Sequence, residues 1–243
     1  MIKDMKVLVI IPAYNEEKSI EKVVENLQAA YPQADYLIVN DCSTDRTAEI
    51  CRERGFSFLS LPTNLGIGGG VQSGYLYAAA NDYDIAVQMD GDGQHDPKYL
   101  AALLEPVMNG EADMAIGSRF ITKEGFQTSG MRRVGIKMLK GTIRLCSGVV
   151  ATDATSGFRA CSKELIRFFS RNYAQDYPEP EAIVAAALNG FTVKDVPVVM
   201  NERTEGVSSI GLLDSVYYMI KVNLAIIACR LTNLRKRKGG TAK

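Results

Sequence analysis

Several features are scarce or missing in this sequence of 243 residues, and each absence removes a class of protein. No charge predominates: 28 Lys and Arg balance 28 Asp and Glu. A protein that coats nucleic acid would be basic throughout, so no nucleic-acid partner is expected. No run reaches the roughly 20 apolar residues that a spanning helix needs. The nearest stretch, 216–231, is interrupted by Lys221, Asn223 and Arg230. The N-terminus lacks the apolar length and cleavage pattern of a secretory signal. The five cysteines (Cys42, Cys51, Cys146, Cys161, Cys229) are an odd number with no C-x-x-C pair. That argues against a disulfide framework or zinc site and points to a reducing cytosol. A single histidine, His95, excludes mechanisms built on a histidine pair. The glycines of 66–70 do not meet G-x-G-x-x-G and follow the third predicted strand, not the first, which rejects a Rossmann dehydrogenase. There is no internal repeat or low-complexity segment.

What is present describes an α/β protein. Hydrophobic residues make up 47% and charged residues 23%, a soluble globular balance that argues against disorder. The length suits one such domain and is too short for two large ones. Short apolar runs at 6–11, 36–39, 56–61, 85–89 and 112–116 predict strands. Helices are predicted over 16–30, 45–54, 70–80 and 98–108, the first from Ile20, Val23, Val24 and Leu27 at i, i+3, i+4, i+7. Pro12 is expected to end the first strand. This alternation implies right-handed crossovers and a mostly parallel sheet, a Rossmann-like nucleotide-binding unit flanked by helices. Beyond Gly117 the rhythm changes. A polar loop over 119–130 leads to helices at 132–145, 165–169 and 181–188, a strand at 192–199 and a terminal helix at 211–234. A disordered basic tail is expected over 235–243. The expected organisation is one domain over 1–210, divided at 116 into a nucleotide- and metal-binding half and an acceptor half.

The neutral total conceals segregation. Residues 1–116 carry 8 basic and 18 acidic side chains, net −10. Residues 117–144 are net +6, 145–229 net −2 and 230–243 net +6.

Ligands of open α/β sheets bind beyond the carboxyl ends of the strands, and four polar clusters fall there. They are P-A-Y-N-E-E (12–17), N-D-C-S-T-D (40–45), N-L-G-I-G-G-G (64–70) and D-G-D-G-Q-H-D (90–96). In the last, Asp90 and Asp92 alternate along extended chain and can face one hard cation, with Gly91 and Gly93 permitting a tight turn. Mg or Mn favours such oxygen donors and leaves positions for a diphosphate. The alternative is an acidic turn, with Asp96 capping the helix after Pro97. Asp41 is read as a nucleoside ligand and Asp45 as a helix cap. Tyr14 either stacks on a base or is a rim aromatic, and His95 either supports the loop or merely starts a helix.

Together these motifs, followed by G-S-R-F (117–120) and D-A-T-S-G-F-R (153–159), resemble family 2 glycosyltransferases, inverting enzymes of the GT-A fold that use sugar nucleotides. The resemblance spans nearly the whole chain and is strongest to the dolichyl- and polyprenyl-phosphate sugar synthases. It implies that Pro12, Tyr14, Glu16, Asp41, Gly68 and Asp90 hold the donor nucleotide. It implies that Asp90, Asp92 and Gln94 hold Mg or Mn, and that Arg119, Arg132 and Arg133 meet phosphates. Arg203 and Ser208, in R-x-x-G-x-S, would close on the diphosphate.

The expected reaction is displacement at the anomeric carbon, with Asp92 and Arg119 serving the departing diphosphate. The 121–130 segment would act as a lid against water. A UDP-sugar is the expected donor and polyprenyl phosphate the expected acceptor. That anion needs no base, and the basic 117–144 block supplies cations to hold it. Transfer to a hydroxyl of a lipid-linked saccharide is the alternative. It would need a base, for which Glu181, Glu179 and Asp153 are candidates. A non-catalytic sugar-nucleotide-binding subunit is a third reading. The apolar terminal helix with its basic end suits the cytoplasmic face of an anionic membrane as a peripheral contact; a core helix or homo-oligomer contact is the alternative.

Overall fold

The computed structural model describes residues 5–122, 130–201 and 212–239. Seven strands form one sheet: β1 (Val7–Ala13), β2 (Asp35–Asn40), β3 (Phe58–Ser60), β4 (Ile85–Gln88), β5 (Met114–Ser118), β6 (Arg159–Ser162) and β7 (Val193–Pro197). Their spatial order is β3-β2-β1-β4-β6-β5-β7. Neighbours are parallel except that β6 runs antiparallel between β4 and β5. Residues 159–162 were not predicted as a strand, because Arg-Ala-Cys-Ser carries no apolar run.

Every residue of β1 is buried, and alternation sends them to two cores. Leu8 and Ile10 face one layer, whereas Val7, Val9 and Ile11 face the other. The first layer holds α3 (Gly66–Ala80), α5 (Gly130–Ser147), α6 (Lys163–Phe169), α7 (Pro178–Leu188) and α8 (Leu212–Gly239). The second holds α1 (Ile20–Ala30) and α4 (Leu100–Met108), with Cys51 of α2 (Thr47–Glu53).

Pro12 does not end β1. It pairs with Val39 of β2, and β1 continues to Ala13. Carbonyls of a parallel strand face alternate neighbours, so Ile10, which accepts from Met89 N–H, and Pro12 both face the β4 side. The β4 ladder ends at the Ile10 pair, so the missing proline donor falls where no ladder bond is needed. Two further boundaries move. The glycines of 66–70 lie inside α3, not in a loop before it. Gly68 approaches the Ala174 and Gln175 carbonyls so closely that a Cβ would lie 2.3 Å from both, which gives it a packing role. The basic segment expected to be disordered from 235 continues α8 to Gly239. Lys and Arg are good helix formers, and like-charge repulsion at i,i+4 costs only tenths of a kcal/mol.

Candidate active site

The carboxyl ends of β1, β2 and β4 lie side by side, and the loops leaving the first two are zipped together. Asn15 adopts φ 58°, a left-handed conformation that asparagine tolerates. Its Oδ1 accepts from the Thr44 N–H (2.8 Å), and its own N–H donates to Ser43 Oγ (3.0 Å). Glu16 N–H donates to Thr47 Oγ1 (2.8 Å), and Glu17 N–H to Asp45 Oδ2 (3.0 Å). Asp45 also accepts from the Thr47 N–H (2.9 Å) at the start of α2. Burial pushes its carboxyl up, but these hydrogen bonds outweigh that and hold it below its usual value. Asp41, by contrast, is buried at the end of β2, with Oδ1 accepting from Leu65 N–H (2.7 Å). Tyr14 is half exposed at the rim, and Glu16 accepts from Ser19 Oγ (2.6 Å).

The acidic loop after β4 is built from several directions. Asp90 N–H donates to His95 Nδ1 (3.0 Å), which puts the imidazole proton on Nε2, 3.7 Å from Asp90 Oδ2. The His95 ring is buried and stacked on Phe158 with centroids 5.0 Å apart. His95 therefore braces Asp90, and Asp96 caps the following turn by accepting from Lys98 N–H (3.1 Å). Asp92 is buried and accepts from Gln94 N–H (3.0 Å). Gln94 also accepts through its carbonyl from Asn201 N–H (3.0 Å). Gly91 lies against β1, where a Cβ would be 3.1 Å from the Pro12 carbonyl oxygen.

Asp90 and Asp92 are hard oxygen donors at alternate positions. Among the described residues, no three His, Cys, Asp or Glu side chains converge on a metal-binding point. Two carboxylates with the remaining positions left to ligand and water match how Mg or Mn is held beside phosphates.

The sequence placed three carboxylates as candidate bases, and the structure separates them. Asp153 is wholly buried, with Oδ2 on Arg119 Nε (2.7 Å) and Oδ1 on Arg119 Nη2 (3.2 Å) and Thr155 Oγ1 (3.2 Å). It is the buried counter-ion of Arg119 and is not disposed as a base; correspondingly, Arg119 is engaged with Asp153 at the end of β5. Glu181 turns away from Asp90 and lines a shallow pocket of about 320 Å³ with Asp176 and Lys221. Burial and then Asp176 push its carboxyl up. Glu179, two residues earlier, is the one that faces Asp90 and Gln88. Burial raises its pKa, Arg159 opposes this, and Asp90 raises it further.

Other contributors carried little sequence signal. Arg159 is fully buried in β6 and donates to the carbonyls of Ser156 (2.7 Å), Glu179 (2.6 Å) and Ala154 (3.1 Å), tying the 153–157 turn to the start of α7. Lys140 of α5 lies 4.9 Å over the Phe120 ring. Burial lowers its pKa, while Asp153 and Asp195 oppose the shift. Two hints were present, Arg159 at the end of D-A-T-S-G-F-R and Gln88, a polar residue inside an otherwise apolar strand. Arg132 and Arg133 lie in the first turn of α5, but their side chains are outside the described ones. Arg203, Ser208 and 123–129 of the expected lid also lie outside the described residues.

Solved structures of glucosyl-3-phosphoglycerate synthase from Mycobacterium tuberculosis share this architecture. One, in complex with Mn2+, UDP-glucose and phosphoglyceric acid, matches 95% of this chain and 80% of its own with a TM-score of 0.66 at 22% identity. The fold is that of the GT-A glycosyltransferases, with a mostly parallel sheet and flanking helices. The family model described as glycosyl transferase family 2 matches residues 8–169, and the chain belongs to that family and is a glycosyltransferase. Polyprenol monophosphomannose synthase of Mycolicibacterium smegmatis is 31% identical over 85% of this chain and 81% of its own length. Undecaprenyl-phosphate mannosyltransferase of Micrococcus luteus is 30% identical over 97% and 100%. The similarity thus runs to the polyprenyl-phosphate sugar synthase branch, as the motifs implied.

Proposed function

We propose that this glycosyltransferase is an inverting, metal-dependent enzyme that moves a sugar from a UDP-sugar to polyprenyl phosphate. The observation that carries the donor half is the pair Asp90 and Asp92 at the strand edge beside the zipped 12–17 and 40–45 loops. Asp41 and Tyr14 would receive the nucleoside there, and Asp90 and Asp92, with Gln94, would hold Mg or Mn. The cation, when bound, neutralises charge growing on the departing diphosphate. Arg119 would meet a phosphate at the end of β5, with its charge balanced locally by Asp153. The acceptor reading draws its support from the relatives, two of which bear names of polyprenyl-type phosphate glycosylation. A phosphate oxygen is already an anion and attacks without a base.

Glu179 beside Asp90 favours a second reading, transfer to a sugar hydroxyl with Glu179, not Glu181 or Asp153, as general base. Glu179→Gln separates the two. With polyprenyl phosphate as acceptor, nucleoside diphosphate release is expected to stay within about 10-fold of wild type, since no proton is abstracted. A wild-type protein idle with polyprenyl phosphate but active with a saccharide hydroxyl, and losing about 100-fold or more of that activity in Glu179→Gln, would select the hydroxyl reading.

We further propose peripheral contact with the cytoplasmic face of a membrane. Ile220, Leu224, Ile227 and Leu231 form one exposed stripe on α8, and Met138 and Leu145 are exposed on the adjoining α5. The two helices are joined through Thr142 and the buried Asn223. Arg230 lies beside the last stripe residue, and the basic end of α8 follows it. Among the described residues, no helix is long and apolar enough to cross a membrane. The full chain is expected to sediment with anionic liposomes, and a chain ending at Ala228 to sediment less. Equal sedimentation would refute a role for the basic end, and a full chain left in the supernatant would refute the contact, with dimerisation through this face as its replacement.

A further inference from the structure

We propose that Gln88 is a positioning residue of the candidate active site, whose single side-chain amide holds the Asp90 and Glu179 carboxylates in a fixed relation. Tyr173 bonds the other end of that amide. The inference rests on the reading above, in which Asp90 holds the cation.

Gln88 ends β4 and is fully buried. A side-chain amide has two N–H donors and one carbonyl acceptor. Nε2 lies 3.4 Å from Asp90 Oδ1, and Gln88 is among the groups that lower the Glu179 pKa. Oε1 accepts from the Tyr173 hydroxyl at 3.5 Å. Burial pushes that hydroxyl well above its usual pKa, and a protonated hydroxyl can serve either end of the amide. Carboxylates only accept, so they take the NH₂ end, and the Tyr173 hydroxyl donates to the remaining Oε1. Gly157 closes the remaining side. A Cβ there would lie 2.8 and 2.9 Å from the two Asp90 oxygens and 2.9 Å from Gln88 Nε2, so nothing larger fits.

The chemistry explains the choice of an amide. Two carboxylates converge here and repel each other. A lysine or arginine at 88 would neutralise Asp90 and compete with a divalent cation for it. An apolar residue would leave Asp90 unoriented. A neutral donor orients both carboxylates and leaves their charge available. Arg159, the nearby cation, is taken up by three backbone carbonyls.

The test is the Mn2+ affinity of the purified protein with UDP, read by electron paramagnetic resonance of free Mn2+, without turnover. Gln88→Met keeps the length of the side chain and removes its hydrogen bonds. It is expected to weaken Mn2+ binding about 10- to 100-fold, the usual effect of losing a partner of a metal ligand. Tyr173→Phe removes only the hydroxyl and is expected to weaken it several-fold, and it carries the test if Gln88→Met does not fold. Wild-type Mn2+ affinity in a folded Gln88→Met protein, or in Tyr173→Phe where that is the variant tested, would overturn the proposal. A wild-type protein that binds no Mn2+ with UDP would instead overturn the metal-dependent donor reading, and the positioning role with it. A merely structural role would lower the melting temperature and leave metal affinity unchanged.

Discussion

Asp92→Asn is expected to lower glycosyl transfer about 1,000-fold while the protein melts close to its wild-type temperature. The asparagine oxygen can still accept from the Gln94 N–H, so the turn after Asp92 keeps its hydrogen bond. What is lost is one of the two carboxylates proposed to hold the cation. A bound cation is worth several kcal/mol of transition-state stabilisation, so its loss lowers the rate by a factor of about 1,000. Release of nucleoside diphosphate from a UDP-sugar with polyprenyl phosphate measures it. Turnover within 10-fold of wild type would remove Asp92 from the donor site.

Arg119→Ala is expected to act on stability before activity. Asp153 is wholly buried, and its two oxygens are held by Arg119 and Thr155. Removing the guanidinium strands a charge that cannot reach water, at a cost of about 3–5 kcal/mol. For a chain of this size that lowers the melting temperature by roughly 10 °C. Asp153→Asn should cost less, because a buried amide needs partners but carries no charge. A double replacement, Arg119→Met with Asp153→Leu, should recover most of the loss, since apolar residues in place of a buried pair are often neutral. Calorimetry of the three variants decides. Melting of Arg119→Ala within 1–2 °C of wild type would mean that Asp153 is not stabilised by this pair.

Local pattern carried much of the architecture. The apolar runs at 6–11, 85–89 and 112–116 and the stripe of Ile20, Val23, Val24 and Leu27 are read by neighbours a few residues away. These match β1, β4, β5 and α1 within one to four residues at their ends. The acidic loop was legible for a similar reason, because D-G-D-G-Q-H-D is contiguous and its aspartates accept from backbone N–H groups two residues on. Where the sequence reading failed, the deciding partner was remote. Residues 159–162 form a strand because β4 and β5 bond them from both sides. Pro12 stays within β1 because the β4 ladder ends just before it.

The candidate bases show the boundary most clearly. Sequence alone determined that the chain is an α/β glycosyltransferase of family 2, with acidic and basic segments set apart along its length. It also narrowed the base to Glu179, Glu181 or Asp153. Only the tertiary structure shows what each of them meets. On a helix, residues two apart point about 200° from each other, so one turn of α7 directs Glu179 to Asp90 and Glu181 to the pocket beside α8. Asp153 was withdrawn by an arginine 34 positions away that fills both of its oxygens. Chain neighbours can specify that a carboxylate is present. Which cation, amide or solvent it meets depends on groups brought close only by packing, and that environment determines what the carboxylate can do.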